Sequence, residues 1–222
     1  MKATPDAGEE IVGRRERNKR DKRSRIEGAA RRLFSQQGFE ATTIRQIAEV
    51  AGIGLGTFFS YAANKNDLLV LIFQDEVGRA VERALATAPD RPLLDKVLHV
   101  FGAISAHHRQ NPGLARVFVK ETPFIDDRRH GIADFMRMLL TGVAAFVEEA
   151  KERGEIEDDV PALPLVRNLF GIFFQHMQIW LRDGGALDAR ELRKALELQL
   201  RGLRKVAVRP RAGATRRARV KN

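Results

Sequence analysis

Three glycines at every second position, Gly52, Gly54 and Gly56, run into Thr57, Phe58, Phe59 and Tyr61 within the stretch AGIGLGTFFSYAANK. Closely spaced glycines let backbone N–H groups approach a phosphate, so nucleotide chemistry is the first to test. A dinucleotide fingerprint needs a third glycine where this chain has Thr57, and it must follow a buried strand, whereas TIRQIAEVA carries a helical pattern. No Gly-Lys-Ser/Thr follows either, so the stretch is not a phosphate cradle. Metal and acid–base chemistry find no better support. His107 and His108 are adjacent, which on a helix turns them about 100° apart, and His99 and His176 obey no ligand spacing. The acidic run EIEDD at 155–159 reads as a solvated turn. There is no cysteine, which removes disulfides, thiolate metal sites and cysteine nucleophiles. No catalytic residue, metal or cofactor is expected.

The elements that position the glycine run are helical. Residues 18–38 place Ile26, Ala29, Ala30, Leu33 and Phe34 on one face, and Gly38 stops the pattern. Thr42 or Thr43 caps a short helix carrying Ile44, Ile47, Ala48 and Ala51; Gly52 ends it, Leu55 to Tyr61 form a third helix, and NKNDLL starts a fourth reaching about Thr87. Breakers then separate helices over 93–110, from the NPG at 111–113 to Pro123, and over 127–153, 163–182 and 187–206. No strand alternation is found. The expected fold is all-α with about nine helices: an N-terminal three-helix helix-turn-helix domain over 18–66 and a larger helical domain over 67–207. A disordered lead, 1–17, and a basic disordered tail, 208–222, flank them.

Charge is uneven. Residues 1–25 hold nine Lys/Arg against five Asp/Glu and residues 201–222 hold nine against none, so a chain of net charge +10 has a middle of −3. Basic ends of this kind seek polyanions. With no signal-like leader, no apolar run long enough to span a bilayer and no cysteine, a cytoplasmic protein with no membrane association is expected.

The same glycines make sense in a helix-turn-helix. Two short helices crossing steeply need a turn with positive φ, which Gly52 supplies, and Ile53 can then tuck against Ile44, Ile47 and the small Ala48. The helix from Leu55 is thereby offered to a DNA major groove. TTIRQIAEVAGIGLGTFFSYAANKNDLL, residues 42–69, together with the preceding RIEGAARRLFSQQGFEATT, resembles the DNA-binding signature of the tetracycline-repressor (TetR) family over about a quarter of the chain. The resemblance implies a ligand-responsive regulator, most often a repressor, that binds a palindromic double-stranded DNA operator as a homodimer. It also implies DNA-contacting roles for Thr43, Arg45, Leu55, Gly56, Thr57, Phe59, Ser60, Tyr61 and Lys65. Among them Thr43 caps the second helix and offers its hydroxyl or amide to a phosphate, and Tyr61 and Lys65 hold phosphates at the far end. Gly54 and Leu55 stand where the family often has Ser and Lys or Arg, Phe59 replaces a usual Tyr, and Ala62-Ala63 replaces Phe-Pro. The basic run RRERNKRDKRSR, 14–25, can compensate as an arm along the DNA backbone or minor groove.

Residues 163–182 are apolar on more than one face, with Leu165, Leu169, Ile172, Phe173, His176 and Trp180 on one stripe and Val166, Phe170 and Phe174 on another. With the leucines 192, 196, 200 and 203 of the last helix they form a candidate four-helix dimer interface. The resemblance further implies a cavity for a small, apolar or aromatic effector, with Phe101, Ile104, His108, Phe118, Phe135, Leu139, Phe173, Met177 and Trp180 as candidate lining. The competing reading is a helical small-molecule-binding protein or enzyme with no DNA-binding role.

Overall fold

A computed structural model describes residues 7–124 and 131–203. Among them are nine α-helices, a short 3-10 turn and no strand: α1 (Ala7–Gln37), α2 (Ile44–Ala51), α3 (Leu55–Tyr61), α4 (Lys65–Ala86), α5 (Leu93–Gln110), α6 (Pro112–Glu121), α7 (Ile132–Glu152), α8 (Ala162–Asp183) and α9 (Ala189–Arg201). The expected tail at 208–222 lies outside the described residues, as do residues 1–6, 127–130 and 204–207 of the expected lead and helices. No helix among the described residues is long and apolar enough to cross a membrane.

The first difference from expectation is the start of α1. Residues 7–17, read as part of a disordered lead, are helical. Gly8 and Gly13 disfavour a helix, but each costs only about 1 kcal/mol against alanine. The segment is otherwise rich in Glu and Arg, which are good helix formers, and no proline follows Pro5 until α1 is complete. The basic run at 14–25 is thus a turn-by-turn continuation of α1 rather than an extended arm.

Four of the eight later helices start at a capping side chain. Thr43 accepts from the Gln46 N–H while Gln46 accepts from the Thr43 N–H at 2.8 Å, a reciprocal cap worth about 1 kcal/mol. Asn64 caps α4, Asn111 caps α6 just before Pro112, and Asp188 accepts from both Arg190 and Glu191 N–H groups at the start of α9. These two backbone donors, Glu191 first, hold the Asp188 carboxyl below its ordinary pKa. Pro92 brings no capping side chain to α5. Glu155, from the run EIEDD, reaches across instead and accepts from the Leu93 N–H at 2.9 Å.

Helix α4 is the central post, packing on α1 at one end and on α5, α6 and α7 along its length; α8 packs against α6, α7 and α9. Gly142 of α7 allows its close crossing with α4, because a Cβ there would stand 2.5 Å from a Leu85 methyl. A single apolar core runs from Ile26, Ala30 and Ile47 in the N-terminal head, through Leu69, Phe73 and Val77 of α4, to Phe101, Leu139, Leu169 and Leu196 in the body.

Candidate functional site

The head turns where the sequence says it must. Gly52 sits at φ 63° and ψ 43°, and the N–H groups of Gly52 and Ile53 donate to Glu49 and Ala48 carbonyls, each at 3.0 Å, closing α2 before the chain reverses into α3. A residue with a Cβ pays roughly 1–2 kcal/mol in that conformation. Helix α3 then buries Phe58 completely and presents Leu55, Gly56, Phe59 and Ser60 to solvent. Arg45 is exposed on α2, and Thr57 is partly buried.

Two of the expected phosphate ligands have different work. The Lys65 ammonium donates to the Phe39 and Glu40 carbonyls at 2.7 and 3.2 Å and lies 4.3 Å from the centre of the Phe39 ring. It clasps the chain between α1 and α2 to the start of α4. The Tyr61 hydroxyl donates to the Lys19 carbonyl at 3.0 Å, spending its only proton on α1. Thr43 is exposed, but its N–H and hydroxyl both engage Gln46. The outer surface instead gains charge from α1, whose Arg17, Lys19, Arg20, Lys22 and Arg25 are exposed. We expect Lys65→Met to lower head stability by about 1–2 kcal/mol through the lost hydrogen bonds and ring contact. It should leave the salt dependence of DNA binding unaltered; a lysine on a phosphate would change the slope by about one per contact. Denaturation curves and salt-titrated binding of this variant check both halves.

The head is joined to the body by ion pairs. Arg23 of α1 meets Asp75 at 2.6 Å, Arg31 pairs with Glu76, and the other Glu76 oxygen lies 3.2 Å from His107 Nε2 on α5. One carboxylate of α4 therefore touches both the head and the body. Burial, then the charges of Arg31 and Arg79, depress the His107 pKa.

The nine candidate effector residues fall into separate groups. Phe101 and Phe173 stack on each other at 4.4 Å between α5 and α8. His108 and Phe118 pack around Phe73 of α4, at 5.6 and 5.2 Å between ring centres. Ile104, Leu139, Met177 and Trp180 are buried, and Trp180 donates to the Gly185 carbonyl at 3.1 Å. Phe135 is only partly buried and lies beside Gly78 of α4. Phe73 was missed because the run LLVLIF gives no sign of which member faces α5 and α6. His108 is a polar group within this core. Its Nδ1 lies 2.7 Å from the Ile104 carbonyl, which can only accept, so Nδ1 carries the proton and Nε2 is a lone-pair acceptor. That Nε2 is buried without a hydrogen-bond partner, and desolvation holds the imidazole pKa down at about 4. Among the described residues no three His, Asp or Glu converge to hold an ion.

The proposed interface helices also differ from expectation in part. Leu192, Leu196 and Leu200 are buried in the subunit's own core and are unavailable to a partner; Leu198 faces outward. Amphipathic spacing had correctly marked a buried stripe but not what buries it. On α8 the second stripe divides: Val166 is buried in the core, whereas Phe170 and Phe174 stack at 5.9 Å and remain partly exposed, with Leu163 exposed on the same flank.

Residues 26–72 match the family of bacterial regulatory proteins described as the tetR family. The chain is 25% identical over 195 residues to the fatty acid metabolism regulator protein of Bacillus subtilis, covering 84% of this chain and 98% of that one. It is 27% identical over 188 residues to the HTH-type transcriptional repressor KstR of Mycolicibacterium smegmatis, covering 82% and 86% respectively. Among solved structures it is similar to Thermus thermophilus FadR, a TetR family transcriptional repressor in complex with lauroyl-CoA, with 28% identity, 85% and 98% coverage and a TM-score of 0.66. The turn at Gly52, the exposed face of α3 and the all-helical body now stand beside relatives that are regulators rather than enzymes. These matches support a ligand-responsive transcriptional regulator of the TetR family.

Proposed function

We propose that this regulator represses transcription in the cytoplasm by binding a palindromic operator as a homodimer, each subunit laying α3 in one major groove. The observation that carries the reading is the exposed face of α3 directly after the left-handed turn at Gly52, flanked by the cations of α1. Residues 18–66 would act as the reading head and 67–207 as the effector and dimer body, with α4 running continuously through the boundary. Arg45, Leu55, Gly56, Thr57, Phe59 and Ser60 face or border the groove in this reading. Thr43, Tyr61 and Lys65 set the geometry of the head. A single head covers few base pairs, so a two-fold dimer on successive groove faces supplies the affinity. The test is a salt-titrated binding assay on DNA upstream of the gene. Steep loss of affinity with salt supports the regulator, and weak, salt-insensitive binding supports a helical carrier or enzyme.

Helix α8 is the proposed centre of the dimer, its Phe170 and Phe174 meeting their counterparts near Gly171, where nothing lies within 4 Å of the missing side chain. Phe174→Glu is expected to weaken self-association by at least about tenfold. Light scattering across a dilution series checks this, and an unchanged dimer would move the interface elsewhere.

For the effector we propose an acyl-CoA. The relative with 28% identity is a repressor bound to lauroyl-CoA, and the body of this chain offers a continuous apolar core among α4, α5, α6 and α8 in which an acyl chain could replace side-chain contacts. Entry between Phe73, His108 and Phe118 would move α4, and through Asp75 and Glu76 the head. A cleft of about 560 Å³ between the end of α1 and α6, bordered by Phe34, Phe39, Asn111 and Leu114, leaves the head space to shift. The effector must bind the shifted form more tightly than the DNA-bound one for release to follow. Lauroyl-CoA should dissociate the protein from its operator, while free CoA and laurate at equal concentration should not; release by neither thioester nor acid would overturn the effector assignment.

A further inference from the structure

We propose that this protein reads its operator half-site through the 5-methyl groups of thymines, covered in the major groove by Leu55 and Phe59. The inference rests on the DNA-reading role assigned above and names the chemistry by which that role becomes sequence-specific.

Helix α3 has the sequence LGTFFSY. It contains no Arg or Lys to fork onto guanine, no Asn or Gln to pair with adenine and no carboxylate to accept from cytosine. The hydroxyls are partly committed as well. Ser60 donates to the Thr57 carbonyl at 2.6 Å and Tyr61 to the Lys19 carbonyl at 3.0 Å.

What α3 does offer is apolar. Leu55 is 43% exposed and Phe59 is 49% exposed, and the i, i+4 spacing puts them side by side. Beyond the adjoining chain, no atom lies within 4 Å of where a Cβ would stand on Gly54 or Gly56, the residues on either side of Leu55. The surface flanking Leu55 is therefore open, and the floor of a groove can reach the exposed part of its side chain. Two large apolar side chains held in water on so short a helix call for a partner that covers them. The surroundings say which kind. Arg45 of α2 and Arg17, Lys19 and Arg20 of α1 are exposed on the same small head, a setting that favours a polyanion over an apolar protein surface. In a major groove the apolar group on a base edge is the thymine methyl.

The experiment uses the full chain. A random duplex library is enriched by repeated binding, and the enriched site is synthesised with thymine or with deoxyuridine, which lacks only the methyl, at the positions facing α3. The uracil site is expected to bind about fourfold more weakly per covered methyl, the loss equivalent to exposing one methylene-sized apolar group. Phe59→Ala and Leu55→Ala, both at exposed positions, should each bind thymine and uracil sites with a smaller difference than the wild type. Equal binding of the two sites by the wild type would overturn methyl reading while leaving the DNA-reading role standing. Failure to enrich any sequence would overturn that role and this inference together.

Discussion

Replacing Phe58 by alanine is expected to cost about 3–5 kcal/mol, and most of that cost should fall on the reading head. Phe58 is fully buried, whereas its neighbour Phe59 is half exposed. Helix α3 is seven residues long and has no side-chain cap at Gly54, so it cannot hold its helical form by local bonds alone. Its stability is borrowed from the burial of one ring in the apolar core of the head. Removing the ring leaves a cavity that the short helix fills only by shifting or fraying. Hydrogen exchange should quicken over residues 55–61 while α7 and α8 remain protected, and specific DNA binding should be lost. A variant that keeps both its protection and its operator affinity would show that α3 is anchored by something other than Phe58.

Acidification should destabilise the protein through His108. Its imidazole has a pKa of about 4 in the folded chain, chiefly because burial penalises the charged form, against roughly 6.5 in an unfolded one. Between those values the unfolded state binds a proton that the folded state refuses. Stability from this group is therefore intact above about pH 6.5 and falls as pH drops toward 4, by about 3 kcal/mol in all. Below pH 4 both states are protonated and the effect levels off. His107, also depressed by burial, adds in the same direction, but its partly exposed ring and its contact with Glu76 reduce the magnitude. Urea denaturation at intervals from pH 7.5 to 4 should show the wild type losing more stability than His108→Leu. Parallel curves would mean that the imidazole is not held neutral by its surroundings.

Much of the head was legible because its key residues answer to local rules. The left-handed turn at Gly52 follows from needing positive φ, and the caps at Thr43 and Asn64 follow from side chains that can satisfy the first free N–H groups of a helix. What the pattern could not give was the partner of a long polar side chain. Lys65 looks the same in a sequence whether its ammonium meets a phosphate or the Phe39 carbonyl, and the answer depends on where the end of α1 lies in space. Tyr61 is the same case, decided by the Lys19 carbonyl forty-two residues earlier in the chain. Leu192, Leu196 and Leu200 announced a buried stripe, yet periodicity carries no sign of whether the cover is the subunit's own α8 or another copy. The start of α1 was hidden by two glycines that count against a helix one at a time, although the helix formers around them outweigh both.

The division of labour on the head has an evolutionary corollary. In the proposed reading, attraction to nucleic acid would reside in the cations of α1, while α3 bears no charge at all. After gene duplication, substitutions confined to positions 55, 56, 59 and 60 could retarget one copy to a new set of promoters with its general hold on the chromosome preserved. The two properties can drift independently, which is the raw material for a diverging regulatory repertoire.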